Sequence, residues 1–133
     1  MANKIKVTIS LGISGVGANS TLSSSYTADQ IGSNFTHQTQ LIGTTAEALD
    51  IGTDIATGSL GYLVLRNLET PPLGATQTTG NVISVYSDAG ATQKIAEVLP
   101  GHTILMPPST LSTTVYCKAS TATALLEFLA VEV

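Results

Sequence analysis

At 133 residues, with 43% hydrophobic and only 11% charged side chains and a net charge of −4, the chain supports one domain with its own core but is poor in charge. Its five basic residues, Lys4, Lys6, Arg66, Lys94 and Lys118, are scattered, which excludes the basic stripe that nucleic-acid binding needs. No window approaches about 18 uninterrupted apolar residues, and the start alternates instead of forming an apolar block, so neither a transmembrane helix nor a signal peptide is expected.

The single cysteine, Cys117, has no partner within the chain, which fits folding in a reducing cytoplasm. In that setting the sequons at Asn19 and Asn34 carry no weight. Polarity comes instead from Ser and Thr, about a quarter of all residues. Such a surface repels itself weakly and favours packing against other protein. Thr also suits strands, so the same composition fits a plain β protein.

In chain order, the cleanest periodicity comes first. Ile5, Val7, Ile9, Leu11 and Ile13 point one way, and Lys4, Lys6, Thr8, Ser10 and Gly12 point the other. Alternation requires one covered face. Two readings follow: a strand of the protein's own sheet, or an arm that lays Ile5, Val7 and Ile9 on a neighbouring subunit. The Gly-rich stretch at 12–17 then serves as a hinge, which divides the chain into an N-terminal segment, 1–17, and a β-sandwich domain, 18–133.

Residues 18–45 are rich in small polar side chains and give strands only around 21–28 and 34–42. EALDIG at 47–52 reads as a short strand carrying Leu49 and Ile51, or as a helical turn after Thr45. From residue 61 the pattern is a run of short apolar segments separated by Pro, Gly, Asn, Asp or Ser. Leu63 and Leu65 belong inside, as do Ile83 and Val85, with Ser84 and Tyr86 outside. LPGH at 99–102 is a type II turn, Pro100 presetting φ and Gly101 supplying a positive φ. Val115, Cys117 and Ala119 face in and Lys118 faces out.

The last strand is apolar on both faces. Leu126, Phe128 and Ala130 line one side, and Leu125, Leu129 and Val131 line the other. Such a strand is covered twice or bulged, and the second cover is then another subunit. Eight or so short strands with regular turn signals predict an all-β fold: a single antiparallel β-sandwich or jelly-roll domain with little or no helix.

Catalytic patterns fail on spacing. Gly12, Gly15 and Gly17 match neither phosphate-loop motif, and Val16 stands where a nucleophile elbow around Ser14 needs glycine. His37 and His102 are isolated, Asp50 and Asp54 read as loop aspartates, and Cys117 reads as a buried apolar residue. Glu127 and Glu132 fall on opposite faces, so they do not form a glycosidase pair. No enzyme, cofactor or metal site is expected.

The order EALDIG, GYLVLRNLE, VISVYSD, LPGHTILMPPS, VYCKAS and LLEFLAVEV, over residues 46–133, resembles small virion structural proteins of tailed bacteriophages. The first 45 residues carry no such likeness. The resemblance implies a jelly-roll or sandwich domain that decorates or cements a capsid as a homotrimer, with the major capsid protein as partner. It further implies a place on the virion's capsid surface after synthesis in the host cytoplasm. On this reading the interface residues are Ile5, Val7 and Ile9 at the start and Leu125, Leu129 and Val131 at the end. Two rivals stand beside it. One is a carbohydrate- or receptor-binding sandwich, against which counts the absence of Trp and the presence of only four Tyr. The other is a small jelly-roll coat protein that builds the shell itself.

Overall fold

The computed structural model describes residues 3–15, 18–30, 32–55, 59–70, 80–106 and 114–132. The chain divides into two compact units, Met1–Ser33 and Asn34–Val133. Among the described residues the strands are β1 (Asn3–Gly15), β2 (Ala18–Gln30), β3 (Phe35–Ile42), β4 (Glu47–Ala48), β5 (Leu60–Asn67), β6 (Ile83–Tyr86), β7 (Lys94–Val98), β8 (Thr103–Met106), β9 (Tyr116–Ala119) and β10 (Ala124–Glu132). Among the described residues there is no helix.

The first unit is an antiparallel hairpin. β1 and β2 pair residue for residue from Asn3↔Gln30 to Gly15↔Ala18 and form a two-stranded sheet of their own. The boundary expected at 17/18 falls between these two strands: residues 18–30 pair with β1, and Gly12 and Gly15 lie within it. β2 is also longer than the expected 21–28, because each of its small polar residues has a β1 partner to hold it extended.

The described residues of the second unit form eight strands in a jelly roll, and its topology follows from four nested antiparallel pairs. β6 pairs with β7, β5 with β8, β4 with β9 and β3 with β10, as though one long hairpin had been rolled up. Two further pairings, β10 with β5 and β6 with β9, join these into two four-stranded sheets, β3-β10-β5-β8 and β4-β9-β6-β7. Two sheets with this order make the jelly-roll form of the β-sandwich.

The inner faces meet in one apolar core. Ile42, Leu63, Leu65, Leu126 and Phe128 come from the first sheet, and Ile83, Val85, Val98 and Cys117 from the second. Leu49, Ile55 and Val115 close it from the connections. The expected inward set at 63, 65, 83, 85, 115, 117 and 119 is therefore found. Tyr86 pairs with Tyr116 as Ser84 pairs with Lys118, so it lies on the outer face as expected, yet it is buried there. EALDIG yields the short strand β4, with Leu49 buried beyond it.

Polar residues close the ends of the sandwich. The inward positions of β3 are Thr36, Gln38 and Gln40, and their side chains bond the backbone of 48–51. Thr36 Oγ1 donates to Ile51 O at 2.6 Å, Gln40 Nε2 donates to Ala48 O at 3.1 Å, and Gln38 Nε2 donates to Asp50 O. Asn67, fully buried at the end of β5, donates through Nδ2 to Asn81 O at 2.9 Å and Val98 O at 3.0 Å. Its Oδ1 accepts from Glu69 N at 3.0 Å. One amide thus ties both sheets together.

The 99–102 turn has the expected type. His102 N donates to Leu99 O at 2.9 Å, and Gly101 has φ +74°. Pro71, Pro72, Pro107 and Pro108, read as lying between strands, fall outside the described residues.

Candidate assembly surfaces

The hairpin has two unlike faces. Register places Ile5 beside Ala28, Val7 beside Tyr26, Ile9 beside Ser24 and Leu11 beside Leu22 on one of them. Thr8–Ser25, Ser10–Ser23 and Gly12–Thr21 fill the other, with Lys4 and Asp29 ion-paired at its base. The apolar face is open. Leu22 is 72% exposed and Leu11 61%, and Ile9 is exposed as well, while Ile5 and Val7 are half-buried. Three of the predicted interface residues, Ile5, Val7 and Ile9, therefore share this face.

The other three lie on the jelly roll. Inward and outward residues alternate along β10, and register carries the outward ones across the sheet in rows. Val131 stands between Phe35 and Tyr62, Leu129 between His37 and Val64, and Leu125 beside Leu41. Phe35 is 67% exposed and Leu41 65%, whereas Leu125, Leu129 and Val131 are only partly so. Phe35 and Leu41 were missed in the sequence. Their strand has polar residues at its inward positions, so the alternation gave no sign of which face was which.

One polar row crosses this face. Glu127 sits between Thr39 and Arg66, with Arg66 Nη1 3.6 Å from one carboxylate oxygen and His37 Nε2 3.1 Å from the other. A shallow groove of about 280 Å³ runs along it, lined by Val64, Thr103 and Leu129 as well as the three charged or ionisable groups. Charge is thus matched within the row and the flanks are aliphatic or aromatic.

The outward face of the second sheet differs. Ser84, Glu97, Lys94 and Lys118 line a groove of about 500 Å³ there, and Lys94 is ion-paired with Glu97. The hydrogen bond from that pairing raises the Lys94 pKa, so the ammonium stays charged. An antiparallel sheet with one wet face looks like this. The apolar outer face of β3, β10 and β5 does not.

The remaining reactive groups serve the fold. Burial, with a smaller contribution from nearby Glu47, pushes the Cys117 thiol up to about 12, so at neutral pH it is a protonated apolar filler. The Asp88 carboxylate accepts from Gln93 N at 2.7 Å, Thr92 Oγ1 at 2.8 Å and Thr92 N at 3.1 Å, which fixes the β6–β7 loop. These bonds, that from Gln93 foremost, hold its pKa below the usual carboxylate value. Asp50 Oδ1 accepts from Gly52 N at 3.2 Å, and Asp54 O accepts from Asn34 Nδ2 at 2.6 Å. Glu132, almost buried, takes Asn34 Nδ2 at 3.0 Å, while Glu127 is on the outward row. Among the described residues no group of three or more His, Cys, Asp or Glu side chains is placed to hold a metal ion.

Comparison with protein-family models, curated proteins and solved structures finds no match to this chain.

Proposed function

We propose that this chain is a structural, non-enzymatic protein of a tailed-bacteriophage virion, binding between capsid subunits as a decoration or cement protein. The observation that carries this reading is the open apolar face of the β1–β2 hairpin. A two-stranded ribbon is at best marginally stable in water by itself, and cover for its apolar face supplies what it lacks. The free energy stored in that face is released only when other protein presses on it. A second apolar face on the jelly roll and a chain with little charge point the same way.

A cement protein acts through mass action. It binds the assembled shell and not the free subunits, so the shell gains about 2.7 kcal/mol per site when the protein stands at 100 times its Kd. On this reading the partners are the major capsid protein and further copies of the chain, as a homotrimer, and Lys4 and Lys6 on the hairpin's polar face meet acidic capsid residues. The test uses virions whose genome encodes the chain. Mass spectrometry should find it in purified particles, and adding the protein to stripped shells should raise their disruption temperature. Ile9→Asp with Leu11→Asp should abolish that rise. Absence from the particles, or shells indifferent to the protein, contradicts the proposal.

The strand order supports a second reading, a coat protein that builds the shell itself, since jelly rolls of eight strands form capsids. Closed shells formed by this protein expressed alone would favour that reading.

A further inference from the structure

Two apolar faces of this chain lack cover within their own units, and the apolar rows of one fit along the other. The hairpin's strands are 13 residues long. The apolar rows, from Ile5–Ala28 to Leu11–Leu22, take seven residues of each strand, about 24 Å long and about 10 Å across, or roughly 240 Å². On the jelly roll, β3, β10 and β5 are 8 or 9 residues long. Three strands about 4.8 Å apart and about 27 Å long give roughly 400 Å², so the hairpin rows fit within that face. Neither face carries unmatched charge. The hairpin presents Ile, Val and Leu, and on the sheet Glu127 is ion-paired with Arg66 of its own row and bonded to His37 of the next.

We propose that the chain assembles by arm exchange: the apolar face of β1–β2 of one copy lies on the outward face of β3, β10 and β5 of a second copy. Each copy then gives one arm and receives one, and the exchange closes into a ring. At each contact the arm covers roughly 240 Å² of sheet, and every copy has both of its faces covered. Pairing of hairpin with hairpin covers the arm alone and leaves the sheet bare. The proposal rests on the reading that these faces serve assembly, and is independent of the virion setting.

The test uses full-length single-site variants, Ile9→Cys on the arm and Leu41→Cys on the sheet, with the buried Cys117 silent. The two are co-expressed or refolded together and treated with a bis-maleimide whose reach is about the 10 Å between packed sheets. Cross-linking between the two variants in the mixture, and none in either alone, is the expected result. Ile9→Cys cross-linking to itself would show hairpin on hairpin and overturn the proposal. A chain carrying both substitutions, Ile9→Cys and Leu41→Cys, that closes only within itself would overturn it too, as would a monomer by sedimentation at tens of micromolar.

Leu129→Asp gives a second readout. It should weaken association about thirtyfold or more while the strand signal in circular dichroism stays unchanged. Unaltered association overturns the proposal. A monomer that nevertheless binds shells defeats arm exchange and leaves the structural reading standing. A cross-linked ring missing from virions supports arm exchange and removes the virion setting.

Discussion

The hairpin and the jelly roll are written in the same alphabet and end in opposite conditions. In both, aliphatic residues alternate with polar ones. On β5 and β10 the inward set, Leu63, Leu65, Leu126 and Phe128, meets a second sheet and is removed from water. On β1 and β2 the corresponding set faces no second layer within its own unit. Alternation states which face seeks cover, and only topology supplies the cover. The jelly roll finds it in its own nested strand pairs; the hairpin finds none within its unit.

The contrast can be broken first by truncation. Phe128→Ala should cost about 3–5 kcal/mol by denaturant unfolding, since it opens a cavity between the sheets. Leu22→Ala, on the exposed hairpin face, should leave the unfolding midpoint of the jelly roll within about 0.5 kcal/mol of wild type. Equal losses at the two positions would show that the two units are one.

Next comes the polar tie. Asn67→Ala should cost about 1–3 kcal/mol, because the carbonyls of Asn81 and Val98 lose their buried donor. Unfolding of this variant at the wild-type midpoint would mean that the sheets are held by apolar contact alone. Gly101→Val should cost roughly 1–2 kcal/mol, since a β-branched residue resists the positive φ of the 99–102 turn. Hairpin association should be untouched by either change.

The smallest expected effects are protonic. The Asp88 pKa is lower in the folded chain than in the unfolded one. Its contribution is therefore present above about pH 4 and is lost as pH falls through the folded value. Asp88→Asn should flatten the acid limb of the stability profile. Cys117 behaves in the opposite sense. Its folded pKa is raised to about 12, so its contribution is complete below the unfolded value of about 8.5 and is lost as pH rises toward 12. Thiol labelling at neutral pH should be slow in the native protein and fast after denaturation, and rapid native labelling would place Cys117 outside the core.

The second half of the fold was legible because each short strand carried its own parity and its own turn. The Leu63/Leu65, Ile83/Val85 and Cys117/Ala119 pairs all fell on the inner face. Tyr86 lies on the outer face as its parity implied, but its burial there was not legible, because alternation says nothing of how neighbouring strands cover a ring. β3 was dim because Thr36, Gln38 and Gln40 occupy its inward positions and bond to the 48–51 backbone, so a working inner face looked like solvent. For the candidate surfaces, Ile5, Val7, Ile9, Leu125, Leu129 and Val131 were readable, but their grouping into two faces was not. That grouping depends on pairing β1 with β2, and the Ser-rich β2 has too little hydrophobic signal to announce a partner.

The central claim is that the hairpin's order comes from association, whereas the jelly roll's is its own. Amide hydrogen exchange of the full-length protein across a dilution series tests it most directly. Protection of the β1 and β2 amides should fall as the protein is diluted below its association range, while that of β5 and β10 stays constant. Hairpin amides as well protected as those of β5 and β10 in a dilute monomer would contradict the account.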